Sequence, residues 1–304
     1  MAGFYNRLMV WRVAVRLLIA IVLTVGATAA PKLAITHKAR SLQPGELVVL
    51  TIVSNSAIST IDVKAFNHTQ RAQALPPTAT RPHAWIALVG IDLDVRPGTY
   101  VVSVSATGPA GAVTAKHRLA VRAKRFATRR LTVDPDFVDP PASEAARIER
   151  ERATLSAAWE GTAGPSSVPE LVFVLPVPEK ANSAFGTRSI FNGQPRNSHS
   201  GADFPSKAGE PIKAPAPGKV VIADDFYFSG GTVVVDHGLG IVSLFAHMSQ
   251  VLVKAGADVA QGEVLGLVGA TGRVTGPHLH WTVRVNGARV DPLSLVALLP
   301  ERAH

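Results

Sequence analysis

The sequence predicts a mainly β protein: an N-terminal β-sandwich and a C-terminal antiparallel β-rich domain, joined by a helical connector. Three observations predict it. Short apolar runs bounded by Pro and Gly turns fill residues 30–123 and 170–304. Helical texture dominates only one stretch between them, about 143–159. With 304 residues, 47% of them hydrophobic, the chain is long enough for two domains and apolar enough to bury real cores.

Residues 1–29 read as an export signal and are set aside from the fold. Arg7, Arg12 and Arg16 make a positive leading region, Leu17 to Val25 is a short apolar run, and Ala27-Thr28-Ala29 is a small-x-small cleavage pattern. The apolar run is about half of what a bilayer-spanning helix needs. Val13 to Val15 lengthen it, so an uncleaved anchor is the alternative, and it is the one route to membrane attachment. Either way the remainder is exported.

Removing the three signal arginines leaves 28 basic against 22 acidic residues, a net +6. That balance suits anionic partners such as cell-wall polymers or membrane surfaces. No nucleic-acid module is recognised, and export argues against that partner. Cysteine is absent, which excludes disulfides, thiolate ligands and a cysteine nucleophile. A metal site in this chain must use His, Asp and Glu.

In the N-terminal part, Glu46 to Val53 follows a Pro44-Gly45 turn, Trp85 to Val95 is a second strand-rich stretch, and Pro97-Gly98 introduces Thr99 to Ala106. Tyr100, Val102 and Val104 fall on one face of that last run at period two. Val113 to Val121 is a further strand. This spacing predicts an immunoglobulin-like sandwich over 30–123. His37, His68, His83 and His117 are scattered through it and read as ordinary surface or structural residues.

Residues 124–169 form the connector. Its helix is predicted at about 143–159, where Ile148, Leu155 and Trp159 share a face, and Gly161 to Pro169 breaks it. From 170 onward, Lys219 to Ala223, Thr232 to Val235, Ile241 to Ala246 and Glu263 to Val268 read as strands. Asp236-His237-Gly238 and Gln261-Gly262 read as tight turns between them.

Five of the ten histidines lie between His199 and His280, in patterned surroundings. In His199-Ser200-Gly201-Ala202-Asp203 an imidazole and a carboxylate stand four apart, and Gly201 lets the backbone turn so that they converge. In His278-Leu279-His280 the two imidazoles project together if the segment is a strand, with Leu279 and Trp281 on the opposite side. His247 ends the apolar Ser243 to Ala246 run. Each pattern alone is weak; their combination carries the chemistry.

Two neutral imidazoles and one carboxylate on Zn²⁺ leave a fourth position for water. The ion lowers that water's pKa from about 15.7 toward roughly 7 and polarises a carbonyl. Amide hydrolysis further needs a proton acceptor and a donor for the leaving amine. No third carboxylate stands out for this, whereas His247 and His278 do. A protonated imidazole could equally stabilise an oxyanion. Because a ligand imidazole must be neutral, activity is expected to collapse below roughly pH 6.

These residues resemble the lysostaphin/LytM-type zinc metallopeptidases that cut peptidoglycan peptides. The resemblance rests on His199-Ser-Gly-Ala-Asp203, His247 and His278-Leu-His280. The flanking text matches too: Ala214-Pro-Ala-Pro-Gly218, Val235-Asp-His-Gly238, Phe245-Ala-His-Met248, and Gly269-Ala-Thr-Gly272 leading into Thr275-Gly-Pro-His-Leu-His280. It covers about Phe185 to Leu295, roughly a third of the chain. It implies that His199, Asp203 and His280 bind Zn²⁺ and that His247 and His278 are the catalytic pair. It also implies a peptidoglycan endopeptidase as the C-terminal domain. Phe245 departs from the tyrosine of many relatives. The resemblance implies cleavage of cross-bridge or stem peptides; with no wall-binding module recognised, a periplasmic enzyme acting on D-alanyl–diaminopimelate cross-links is expected, with a cell-envelope or secreted location as the alternative.

Two rival readings compete with this one. Val253 to Val268 has the texture of a biotin- or lipoyl-carrier domain, but the Asp236-His237-Gly238 hairpin offers no carrier lysine. A non-catalytic wall-binding regulator of another hydrolase is the other; the intact five-residue set argues for catalysis. His237 reads either as a substrate contact or as a turn histidine. Trp281 and Phe226 to Phe228 read as groove lining or as core.

Overall fold

The computed structural model describes residues 31–160, 172–182 and 184–299. The export signal expected over residues 1–29 and the expected Gly161 to Pro169 breaker lie outside them. The N-terminal part is a β-sandwich of two four-stranded antiparallel sheets. One runs Leu33–Lys38, Leu47–Ser54, Ala84–Gly90, Gln73–Ala74 in spatial order. The other runs His68–Arg71, Thr60–Ala65, Gly98–Gly108, Gly111–Val121. The period-two reading holds: Val102, Val104 and Ala106 are buried with Ile61, Val63, Leu50 and Trp85 between the sheets. The strand expected over Trp85 to Val95 stops at Gly90, and a turn through Asp92 to Val95 follows, closed by Val95 N–H donating to the Asp92 carbonyl.

The C-terminal part is built on one large antiparallel sheet. Its path is Gly201–Phe204, Leu279–Val285, Ile241–Val251, Gly230–Asp236, Gly218–Phe226, Asp258–Val259. Short strands at Pro211–Lys213, Val264–Val268 and Ala288–Val290 attach to it. Alternation divides its residues between two faces. Phe204, Phe245, Trp281, Val283, Val233 and Val235 fill the main core together with Leu295 and Leu298 of a short C-terminal helix, Pro292–Leu298. Leu47, Val49 and Leu88 of the N-terminal sandwich belong to this same buried cluster. The N-terminal strands therefore use one face for their own core and the other for the C-terminal one.

The opposite face of the large sheet carries Val242, Leu244, Ala246 and Val234. The connector helix α1, Ala145–Ala158, docks there through Leu155, Ala158 and Trp159. No residue within α1 itself is fully buried, so apolar contact alone is thin. Arg147 helps to hold it, contacting Glu151 at 2.7 Å and the Asp225 carboxylate at 3.1 Å. Before the helix the connector also forms a strand that the sequence did not predict: Thr128–Leu131 pairs in parallel with Arg188–Phe191. Where α1 ends, the sheet face becomes the floor of a groove.

Candidate metal centre and groove

Asp203 lies directly opposite His280 in the pairing of Gly201–Phe204 with Leu279–Val285, and His280 lies opposite Ala246. Cross-strand neighbours of this kind stand about 4.5–5.5 Å apart at Cβ. His199, just before the first of these strands, folds over the pair. His199 Nε2 lies 2.9 Å and His280 Nδ1 2.8 Å from the same oxygen, Asp203 Oδ1. One ligand atom from each residue falls within 4.8 Å of the others, so the three could hold a metal ion.

The donor set fits Zn²⁺: two imidazole nitrogens and one carboxylate oxygen, with room for a further ligand. Several local features point the same way. Both rings lean on a single carboxylate oxygen, an arrangement that an ion between them would replace. His280 Nε2 is committed to Thr282 Oγ1 at 2.8 Å, which leaves Nδ1 as the metal-facing atom. His199 Nδ1 is buried without a partner among the described residues, so its ring is oriented from the Nε2 side alone.

Gly201 owes its place to packing more than to the turn expected of it. It is a strand residue, and a Cβ there would stand 2.7 Å from His280 Cε1 and 2.5 Å from the Trp281 carbonyl oxygen.

His247 occupies the point where the Ile241–Val251 strand changes partner, from Leu279–Val285 to Val264–Val268. Its φ is 67°, a left-handed conformation that a side-chain-bearing residue adopts only when its surroundings impose it. Here two bonds impose it: His247 N–H donates to the Ser229 carbonyl and ring Nδ1–H donates to the Thr271 carbonyl, at 2.8 and 2.9 Å. Nε2 is left with its lone pair. His278 is fixed in the same way, its Nδ1–H donating to the Gly276 carbonyl at 2.9 Å. It precedes the strand instead of lying in it, bridging Gly269, yet its Nε2 still comes within 3.8 Å of Asp203 Oδ1. The His247 and His278 rings are 4.9 Å apart. All five residues singled out in the sequence line one groove of about 740 Å³.

Burial sets the electrostatics. It presses His247 down to about 3, with the neighbouring His280 and His278 adding to the shift. Burial likewise lowers His280, against the pull of Asp203. For Asp203, burial would raise the carboxylate, but hydrogen bonds from His199 and His280 outweigh it and hold the group far below its ordinary range. The site therefore favours neutral His247 and His280 beside an ionised Asp203, and a neutral His280 is what binding a metal there requires.

His237 is not part of this groove. It is buried on the core side, with Nδ1–H donating to the Pro217 carbonyl and Nε2 against Ser243 Oγ, both at 2.9 Å. Trp281 is core, stacked on Phe245, and Phe226 is core too, whereas Phe228 lines the groove. His37 and His117 touch each other at 2.8 Å on the N-terminal sandwich.

The sequence reading missed the wall that the connector contributes. Arg129, Leu131, Leu155 and Trp159 all face the groove, and Arg129 Nη1 lies 3.8 Å from Asp203 Oδ2. It also missed Thr282, whose signal was available: it stands two residues after His280 on one strand and so shares its face.

Residues 197–292 match the model of peptidase family M23. The chain is similar to the DD-carboxypeptidase/endopeptidase Mpg of Neisseria meningitidis, 40% identical over 103 residues, which are 34% of this chain and 24% of that one. It is similar to the peptidoglycan DD-endopeptidase ShyA of Vibrio cholerae, 40% identical over 95 residues, 31% of this chain and 22% of that one. The match thus spans about a quarter of the length of these curated relatives. A crystal structure from Pseudomonas aeruginosa assigned to peptidase M23 is similar over much more: 35% identity, 84% of this chain and 95% of that one, with a TM-score of 0.63.

Proposed function

Because the chain belongs to peptidase family M23, we propose that it is a zinc-dependent endopeptidase that hydrolyses peptide bonds in bacterial peptidoglycan. The observation that carries the reading is the convergence of His199, Asp203 and His280, with His247 and His278 beside them in one groove. The name of the Vibrio relative, a peptidoglycan DD-endopeptidase, supports the substrate class.

His199, Asp203 and His280 would hold the ion. Bound there, Zn²⁺ would supply Lewis acidity and bring the pKa of water toward roughly 7. The remaining chemistry belongs to the chain. His247 presents a neutral Nε2 whose orientation is fixed by the Thr271 carbonyl, which makes it an acceptor for a proton from water. His278 is oriented by the Gly276 carbonyl, and its Nε2 near Asp203 is suited to stabilising an oxyanion or donating to the leaving amine. The groove floor, Ala246, Leu244 and Thr282, offers an extended surface for a peptide beside these groups. The Arg7, Arg12 and Arg16 leader supports export, and we assign the enzyme to the periplasm.

The test is digestion of purified peptidoglycan by the zinc-loaded protein, with mass spectrometry of released muropeptides and elemental analysis of bound metal. Release of shortened cross-linked peptides that is lost in both His199→Ala and His247→Ala supports the proposal. A wild type that is loaded with zinc but releases nothing would turn the assignment to a wall-binding regulator.

A further inference from the structure

The groove is strongly cationic away from the metal centre. Four arginines line it, Arg129, Arg196, Arg273 and Arg284, against a single carboxylate, Asp203, which is itself committed to His199 and His280. Arg129 leans toward that carboxylate at 3.8 Å. The others form no ion pair among the described residues.

Two of them act as a pair. The Arg273 guanidinium is held between aromatic rings, 5.1 Å from the centre of Phe191 and 4.7 Å from that of Phe228. Burial and the proximity of Arg196 both weaken its hold on its proton. Arg196 donates to the Val138 carbonyl at 2.6 Å and to Gln194 Oε1 at 2.8 Å, while its Nε is buried without a partner. The nearest acid in this network, Asp139, reaches Arg196 only through the Gln194 amide. Arg273 makes one long contact, 3.4 Å, to the Phe137 carbonyl. Neutral carbonyls orient these guanidinia but leave two adjacent positive charges uncompensated, which is costly beside a partly buried wall.

We infer that Arg196 and Arg273 form a subsite for a free carboxylate of the peptide substrate, so that the groove selects acidic peptides. The inference rests on the peptidase reading above and deepens it. A planar guanidinium clamped between two rings meets a carboxylate through paired N–H donors, and the stacking fixes the plane before substrate arrives. The carboxylate has two sources in a wall-type peptide, a chain terminus or an acidic side chain, and the chemistry at the arginines is the same for both.

Three synthetic cross-linked peptide dimers separate the possibilities: one with free carboxylates, one amidated only at the C terminus, and one amidated only at side chains. For the zinc-loaded wild type, one of the amidations is expected to raise KM at least about tenfold. Which amidation does so identifies the source. In Arg273→Gln and Arg196→Gln the difference between free and amidated dimers should shrink toward unity. Arg273→Lys, which keeps the charge but not the fork, should retain part of it. A merely structural role for the pair would lower activity on all three dimers alike. Equal kcat/KM for the three dimers with the wild type, or an unchanged preference in Arg273→Gln, overturns the subsite. If the wild type cleaves none of them, the peptidase reading fails, and calorimetric binding of the same dimers decides the subsite. Tighter binding of the free dimer upholds it and equal affinity overturns it.

Discussion

Asp203 and His280 stand directly opposite each other on antiparallel strands, with His280 Nδ1 2.8 Å from Asp203 Oδ1. A slip of one residue in that register would turn one of the two side chains to the core face while the other stayed in the groove, so the sheet itself specifies the centre. The far nitrogen of the same imidazole is fixed by Thr282 Oγ1. Asp203→Ala removes a donor and is expected to abolish zinc binding and hydrolysis. Thr282→Val keeps all three donors but frees the His280 ring, and zinc affinity should fall about 10- to 100-fold. Competition with a chromogenic chelator measures both. Wild-type affinity in Thr282→Val would show that the hydroxyl does not orient the ring.

Gly201 makes a different demand on the same centre. Because an added Cβ would press on the His280 ring and the Trp281 carbonyl, Gly201→Ala must push the strands apart or displace the ligand. Overpacking of this kind costs about 1–3 kcal/mol. Lower zinc affinity together with a lower unfolding midpoint is the expected result. A variant matching wild type in both would mean that the strand gives way freely.

The grouping of this centre's residues was legible in sequence because they come in short fixed spacings: His199 with Asp203, His278 with His280. The strand alternation around Val102 and Val104 was legible for the same reason, since period two is a local property. What stayed hidden depends on contacts between distant segments. The Thr128–Leu131 strand is short, half arginine and paired in parallel with a segment 60 residues later, so no apolar pattern marks it. His237 looked like a turn residue, and only the packed structure reveals the Pro217 and Ser243 partners that bury it. His278 was expected on a strand; it instead reaches the centre from an isolated β-bridge with Gly269 just before one, its ring anchored on Gly276.

The pH profile should reflect burial more than the ordinary imidazole range. Burial first, then the nearby His280 and His278, bring His247 to about 3. A lowered pKa keeps the ring neutral as pH falls, so its ability to accept a proton persists well below the unperturbed value of about 6.5. The collapse below roughly pH 6 expected from the sequence concerns the ligand imidazoles' hold on the metal, which saturating zinc offsets. With zinc held saturating, kcat/KM should stay nearly level from pH 7 to about 5 and fall only beyond. A half-loss near pH 6 would mean that another group controls the acid side.

His237 supplies a stability effect of the same sign. Its folded-state pKa, lowered by burial to about 4, lies below the unfolded value near 6.5. Between those limits the unfolded chain binds a proton that the folded chain refuses, so unfolding becomes easier as pH falls. The contribution is complete above about pH 6.5 and is lost on descending toward 4, amounting to roughly 3 kcal/mol. Urea unfolding at pH 7 and pH 4.5 should show the decline, and His237→Gln should flatten it. An equally steep decline in the variant would assign the effect elsewhere.

The shared core makes the N-terminal sandwich a structural part of the half that carries His199, Asp203 and His280. Leu47, Val49 and Leu88 are buried in one cluster with Phe204, Trp281 and Leu295. The contact is reinforced by Glu46 with Ser294 at 2.9 Å and by Arg289 Nε with Asp92 at 3.0 Å. Leu88→Ala leaves a cavity at that junction and should cost about 2–5 kcal/mol. If the two halves are one cooperative unit, that loss must register in both. Fluorescence from Trp85 in the N-terminal core and from Trp281 in the C-terminal core should then report a single transition, shifted to lower temperature together. Single-tryptophan versions of the protein separate the two signals. A Trp281 transition that stays in place while that of Trp85 moves would establish that the C-terminal half folds independently of the sandwich.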